Sequence, residues 1–215
     1  MVGSEEKVIY IIAFIAGFIP GSIPFGFIVV KLLRRTDIRE HGSGNIGATN
    51  VIRVVGKGPG IFVFFFDVMK GLLPALIFKL LFNTNAGIAA GVGAIAGHMF
   101  TPILKFKGGK GVATSLGVFI GLAPIASAVA FGVWLIVFLS FRWVSLASVA
   151  GAISLPVFLY ISRSLAFSEF SPGLLVFALV ATLVVIMRHS ANIKRLCRGK
   201  EPKFSWEKKL QQDRG

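Results

Sequence analysis

Stretches of apolar residues long enough to cross a lipid bilayer recur along the whole chain and restrict it to few architectures. The first, residues 8–30, is 23 residues long, about 34 Å as an α-helix against a hydrocarbon core of about 30 Å. Further runs cover 59–82, 87–104, 112–122, 125–141, 146–162 and 173–187, separated by NTNA, KFKGGKG, Pro124, FRWVS and the stretch 163–172. In lipid, backbone polar groups must be satisfied inside the protein, so such runs fold as helices. Only 15% of the 215 residues are charged and 55% are hydrophobic, where a soluble domain averages about 25% and about 45–50%. That balance excludes both a single water-soluble core and a disordered chain. A lone cysteine, Cys197, excludes an intrachain disulfide scaffold. The expected fold is an all-α polytopic membrane bundle.

Charge sets the expected topology. Glu5 and Glu6 precede the first run, where a signal peptide would carry positive charge, so this run reads as a spanning helix. If all seven runs span, one side of the membrane receives eighteen Lys/Arg and the other only Lys7, Lys79 and Arg163. The positive-inside rule then places the N-terminus outside and the C-terminus in the cytoplasm. Fusing 112–141 into one span would put nine terminal cations outside, so about seven helices are expected, in a membrane unit 1–201 followed by a polar tail 202–215. The net charge of +14 sits between apolar runs and not on a soluble module. Membrane lipid head groups and an anionic substrate are therefore the expected partners, with no nucleic acid. PGSIPFG at 20–26 interrupts the first run and reads as a structural kink.

Two glycine-rich loops on the basic side have the composition of anion sites. GSGNIGATNVIR at 42–53 fits G-x-G-x-x-G, but no strand precedes it, so the dinucleotide reading fails. Glycines let backbone N–H groups turn toward an anion. A helix starting near Ala48 would place Thr49, Asn50 and Arg53 on one face beside Gly42, Ser43, Gly44 and Asn45. The second loop, KFKGGKG, gathers Lys105, Lys107, Lys110, Gly108, Gly109 and Gly111 without being a P-loop, because Leu104 and Val112 stand at its defining positions. RHSANIKR at 188–195 puts His189 and Asn192 on one helix face, and such a histidine is an acid, base or anion donor near neutral pH. Asp67 and Lys70, within a spanning run at i,i+3, read equally as a structural ion pair or a site wall. Ser145 and Ser148 read as helix caps, and His98 as a satisfied core residue. No cluster has metal-ligand spacing, so no metal or other cofactor is expected.

GSIPFG, GSGNIGATNVIR, FDVMKG, GHMFTPILKFKGGKGVAT, SLAS and RHSANIKRLCRGKE, in that order, resemble the bacterial acyl-phosphate:glycerol-3-phosphate acyltransferase family over nearly the whole chain to about residue 201. The resemblance implies seven helices in the bacterial inner membrane and a cytoplasmic-side site. There a fatty acyl group passes from acyl phosphate to glycerol-3-phosphate, giving lysophosphatidic acid and inorganic phosphate. It makes Ser43 and Arg53 essential and assigns glycerol-3-phosphate binding to Gly108, Gly109, Lys110 and Gly111. It adds His189 and Asn192, makes Glu201 a structural glutamate, and favours Ser148 over Ser145 as a site residue. The catalytic base stays open between His189 and a substrate phosphate oxygen. An organic-anion transporter and an acyltransferase using acyl-CoA are the competing readings.

Overall fold

The computed structural model describes residues 3–164 and 170–205. It contains α1 (Ser4–Gly21), α2 (Phe25–Arg34), a 3-10 turn (Ile38–Glu40), α3 (Ala48–Val54), α4 (Lys57–Leu81) and α5 (Thr84–Met99). A second 3-10 turn (Pro102–Leu104), α6 (Val112–Leu122), α7 (Pro124–Phe141), α8 (Val144–Ser162), α9 (Pro172–Arg188) and α10 (Ser190–Cys197) follow. The chain is all-helical among the described residues.

Among the described residues, five segments are long and apolar enough to cross a membrane: Ser4–Arg34 taken through its break, Lys57–Leu81, Thr84–Leu104, Pro124–Phe141 and Val144–Ser162. The pair α9 and α10, bent by 59°, brings the number to six. Apolar side chains such as Ile19, Phe62, Ile136, Leu139 and Val176 face outward, as lipid-facing side chains do. The 112–122 run is a short helix of 11 residues, about 16 Å long, and by length alone it is no crossing. Gly111, at φ 81°, starts it, and Pro124, the first residue of α7, follows its end. Its last carbonyls, Gly121 O and Leu122 O, accept hydrogen bonds from the Lys79 ammonium of α4 at 3.4 and 2.8 Å. Lys79, expected in an outer loop, thus caps a helix end.

The first run is broken at residues 22–24, and the protein satisfies the break internally. Ser22 Oγ donates to Phe18 O (2.8 Å), Thr101 Oγ1 donates to Ser22 O (2.6 Å) and Lys70 Nζ donates to Ile23 O (2.8 Å). No residue of PGSIPFG lines the cavity described below, so this is the structural kink that the prolines implied.

Close helix packing rests on small residues. A Cβ on Gly17 would lie 1.9 Å from Ala90 O, and one on Gly93 2.0 Å from Phe14 O, so α1 and α5 meet backbone to backbone. Gly93→Val should lower the unfolding temperature in detergent by about 5 °C or more, because over-packing costs about 1–3 kcal/mol; an unchanged temperature would mean that the helices do not meet there. One apolar core joins α4 through α9 around Val118, Phe119, Leu122, Leu155, Leu174 and Phe177. A second, built on Val30, Ile38, Ile46, Val51, Val63 and Leu104, lies under the first glycine loop and makes that loop a packed structure.

Within the polar tail expected from 202 onward, Phe204 packs against the bundle. Phe204 is buried, its N–H donates to Arg142 O at 2.7 Å, and its ring meets Phe138 edge-on at 5.5 Å. An aromatic side chain at the edge of an apolar cleft is held there by burial. The rest of the tail, residues 206–215, lies outside the described residues.

Candidate active site

The first loop takes its shape from Asn50. Gly42 and Gly44 adopt φ 62° and 71°, conformations that a side chain disfavours. They curl the chain over Asn50, which is buried on α3. Asn50 Nδ2 donates to His41 O (3.0 Å) and Asn45 O (2.8 Å), and Asn50 Oδ1 accepts from Ser43 N (2.9 Å). Asn50, expected as a substrate contact, ties the loop together and also lines the cavity described next. α3 begins at Ala48 as the spacing implied, and Ser43, Thr49 and Arg53 line a cavity together with Gly42, Gly44 and Asn45.

The second loop reaches the same cavity by a different geometry from the expected N–H cradle. Gly108 N and Gly109 N donate to Met99 O and His98 O, each at 3.1 Å, so neither amide is available to an anion. Their carbonyls face the other way and accept from Arg188 Nη2 at 3.3 and 2.7 Å. The glycines are required for close approach: a Cβ on Gly108 would sit 2.1 Å from His98 O. Gly108, Lys110 and Gly111 line the cavity, whereas Gly109 is buried behind it and Lys107 is exposed outside it. Lysines two or three residues apart in a tight turn point in different directions, which composition does not record.

The third segment closes the site. His189, at the α9–α10 bend, and Asn192, in α10, both line the cavity, so the single helix face expected to carry them is broken between the two helices. Lys110 Nζ donates to Asn192 Oδ1, and Asn192 Nδ2 donates to Glu201 Oε1 at 2.7 Å. Ser145 Oγ donates to that same oxygen at 2.7 Å, and Arg195 Nε donates to Glu201 Oε2 at 2.8 Å. Ser145 and Ser148 both line the cavity. Ser145 belongs to the Glu201 network, while Ser148 donates to Val144 O (2.8 Å) and accepts from Trp134 Nε1 (3.4 Å).

Cations outnumber anions here. Arg53, Lys110, Arg188, Arg195 and Lys203 stand on the cavity wall, with Glu201 and Asp67 as the carboxylates. Burial pushes the Lys110 ammonium down to about 8; Glu201 opposes this, and Arg195, Arg188 and Arg53 add to it. Burial also raises the Glu201 carboxyl, but hydrogen bonds from Asn192, Ser145 and Arg195 outweigh it and hold the group below the usual carboxylate range. Burial and the Lys110 charge push His189 down to about 4. Its Nδ1 lies 2.8 Å from Val185 O; a carbonyl only accepts, so Nδ1 carries the proton and Nε2 keeps its lone pair. The motif reading passed over Arg188; it is the last residue of α9, and the basic residue heading RHSANIKR was the signal that could have found it.

The cavity, about 1280 Å³, continues from this polar chamber into an apolar cleft lined by Phe131, Trp134 and Phe138 of α7, Gly151 and Leu155 of α8, and Val185 of α9. Asp67 and His98 reach its wall, so Asp67 is both site wall and the ion-pair partner of Lys70 (2.7 Å), which lies behind it. His98 is buried, as a core residue would be, with its Nδ1 3.7 Å from Asp67 Oδ1, but it also lines the cavity.

A membrane-embedded bundle holding a cavity that is cationic at one end and apolar at the other defines an integral membrane protein built for an amphiphile with an anionic head. The family model for glycerol-3-phosphate acyltransferase matches residues 11–199. The chain is 44% identical over 189 residues to the glycerol-3-phosphate acyltransferase of Prochlorococcus marinus (strain NATL1A), a match covering 87% of this chain and 94% of that one. It is 40% identical over 200 residues to that of Aquifex aeolicus (strain VF5), covering 92% and 100%. Its fold is similar to the crystal structure of PlsY (YgiH), an integral membrane glycerol 3-phosphate acyltransferase, in the glycerol 3-phosphate form, with TM-score 0.85, 40% identity and coverage of 91% and 96%. For the lysophosphatidic acid form the values are 0.82, 39%, 92% and 96%. This chain belongs to the glycerol-3-phosphate acyltransferase family.

Proposed function

We propose that the chain transfers a fatty acyl group from acyl phosphate to glycerol-3-phosphate, giving lysophosphatidic acid and inorganic phosphate. One observation carries the reading: both glycine loops and the His189–Asn192 segment line a single cavity that joins a cationic chamber to an apolar cleft. Its relatives' names and the glycerol 3-phosphate and lysophosphatidic acid forms of PlsY support the acceptor and the product. In the reaction the glycerol hydroxyl oxygen bonds to the acyl carbon, the carbon–oxygen bond to phosphate breaks, and the hydroxyl proton leaves with the phosphate. Arg53, Lys110 and Ser43 hold the phosphoryl groups and the developing oxyanion, offsetting a repulsion that would otherwise separate two anionic substrates. Gly42, Gly44, Asn45 and Thr49 shape the chamber. His189 Nε2 accepts a hydrogen bond from the attacking hydroxyl. A base that weak orients a hydroxyl better than it deprotonates one, whereas the released inorganic phosphate, whose second ionisation lies near neutral pH, is the better proton acceptor. The acyl chain lies along Trp134, Phe138 and Gly151.

The reading includes seven crossings, with α6 counted as one, the N-terminus outside and the site on the cytoplasmic side of a bacterial inner membrane. The asymmetry of basic loops supports it.

Purified protein given glycerol-3-phosphate with acyl phosphate, acyl-CoA or acyl carrier protein should make lysophosphatidic acid only from the first. Product from a thioester alone would overturn the donor, and EDTA should leave the rate unchanged. The Lys110 ammonium is charged below about pH 8 and loses its proton above it. Because kcat/KM reports the free enzyme, its value for glycerol-3-phosphate should be level below pH 8 and fall above it. A profile flat to about pH 9.5 would contradict a role for Lys110 in holding phosphate.

A further inference from the structure

We propose that His98 is a positioning residue for the second glycine loop: its imidazole, backed by Asp67, is the surface on which Gly109 lies, and it thereby fixes where the Lys110 ammonium enters the cavity. The inference rests on the reading of Lys110 as the group that holds a substrate phosphate.

His98, near the end of α5, is buried and reaches the cavity wall. A Cβ on Gly109 would come 2.1 Å from His98 Nε2 and 2.9 Å from its Cε1, so ring and loop are in contact only because residue 109 has no side chain. The same histidine's carbonyl takes the Gly109 N–H at 3.1 Å. Behind the ring, Nδ1 stands 3.7 Å from Asp67 Oδ1. Asp67 is tied in turn to Lys70 at 2.7 Å, and the Lys70 ammonium donates to Ile23 O at the break of the first span. In front, Arg188 Nη2 donates to Gly109 O at 2.7 Å. Gly109 is clamped between a ring that close packing keeps from swinging aside and an arginine; the next residue in the chain is Lys110.

Gly108 supplies the contrast. Its Cβ would meet His98 O at 2.1 Å and Met99 O at 2.6 Å. These are backbone atoms, so the cost of a side chain at 108 is independent of the side chain at 98. The cost of one at 109 is not.

The test is a double-mutant cycle in detergent on wild type, Gly109→Ala, Gly108→Ala, His98→Asn and the two combinations. It reads the KM and kcat for glycerol-3-phosphate and, separately, the shift in unfolding temperature that glycerol-3-phosphate produces. Asparagine keeps a nitrogen facing Asp67 and lacks the far edge of the ring. Gly109→Ala should raise KM about tenfold alone but less than about threefold on top of His98→Asn, with kcat moving less than KM, whereas Gly108→Ala should cost the same factor in both backgrounds. An equal Gly109→Ala factor in both backgrounds overturns the proposal. So does a His98→Asn protein that never becomes folded and monodisperse, since the histidine would then serve the bundle and not the loop. If wild type bound glycerol-3-phosphate but did not turn over acyl phosphate, the catalytic reading would fail while the temperature shifts still decided on His98. No shift in wild type would overturn both.

Discussion

Arg53→Ala should lower kcat/KM for acyl transfer by about a hundred- to a thousand-fold, the range seen when a preorganised donor to developing oxyanion charge is removed. Arg53 stands on the cavity wall near the end of α3. α3 is a helix of seven residues anchored from below by Val51, in the second apolar core. Burial lowers its proton affinity, with Glu201 raising it and Arg195 lowering it further, yet a guanidinium stays charged at any working pH. The loss should therefore be the same from pH 6 to 9. Lysine should recover little, because a point charge cannot reproduce the planar donor fork. Initial rates over a range of substrate concentrations, on protein with an unchanged unfolding temperature, check this; a loss in kcat/KM under about fivefold would remove Arg53 from the reacting centre.

The second large effect belongs to Lys110, for a different reason. Its ammonium joins the second loop to Asn192, and Asn192 joins Glu201, which also holds Ser145 and Arg195. Lys110→Ala removes a charge from the phosphate chamber and also leaves Asn192 Oδ1 without its donor. A drop of at least about a hundred-fold in kcat/KM is expected, with the glycerol-3-phosphate KM carrying much of it. Lys110→Ala should also abolish the fall in kcat/KM above pH 8 in whatever activity remains. If the alkaline limb persisted in the variant, another group would own it.

How far the sequence reaches is clear from individual residues. Apolar runs are legible because lipid offers the backbone no partner, and glycine clusters because few other residues tolerate such turns. The convergence of residues 42–53, 108–111 and 189–192 on one cavity follows from loops lying at one end of a bundle. Hydrogen-bond direction is not written in composition. Gly108 and Gly109 suggested amides facing an anion, but tertiary contact turned both amides onto α5 and left their carbonyls to Arg188. The same limit applies to Lys107, which shares a loop with Lys110 but not its direction, and to Lys79, whose ammonium caps α6. Phe204 was hidden by its setting, a single aromatic residue in a polar segment whose partners Phe138 and Arg142 lie some sixty residues earlier.

The account stands on two phosphate-bearing substrates occupying one chamber together. Initial rates with acyl phosphate and glycerol-3-phosphate both varied decide this most directly. A ternary complex gives double-reciprocal lines that intersect, and that is the pattern expected. Parallel lines, the mark of an acyl-enzyme formed and emptied in turn, would contradict it.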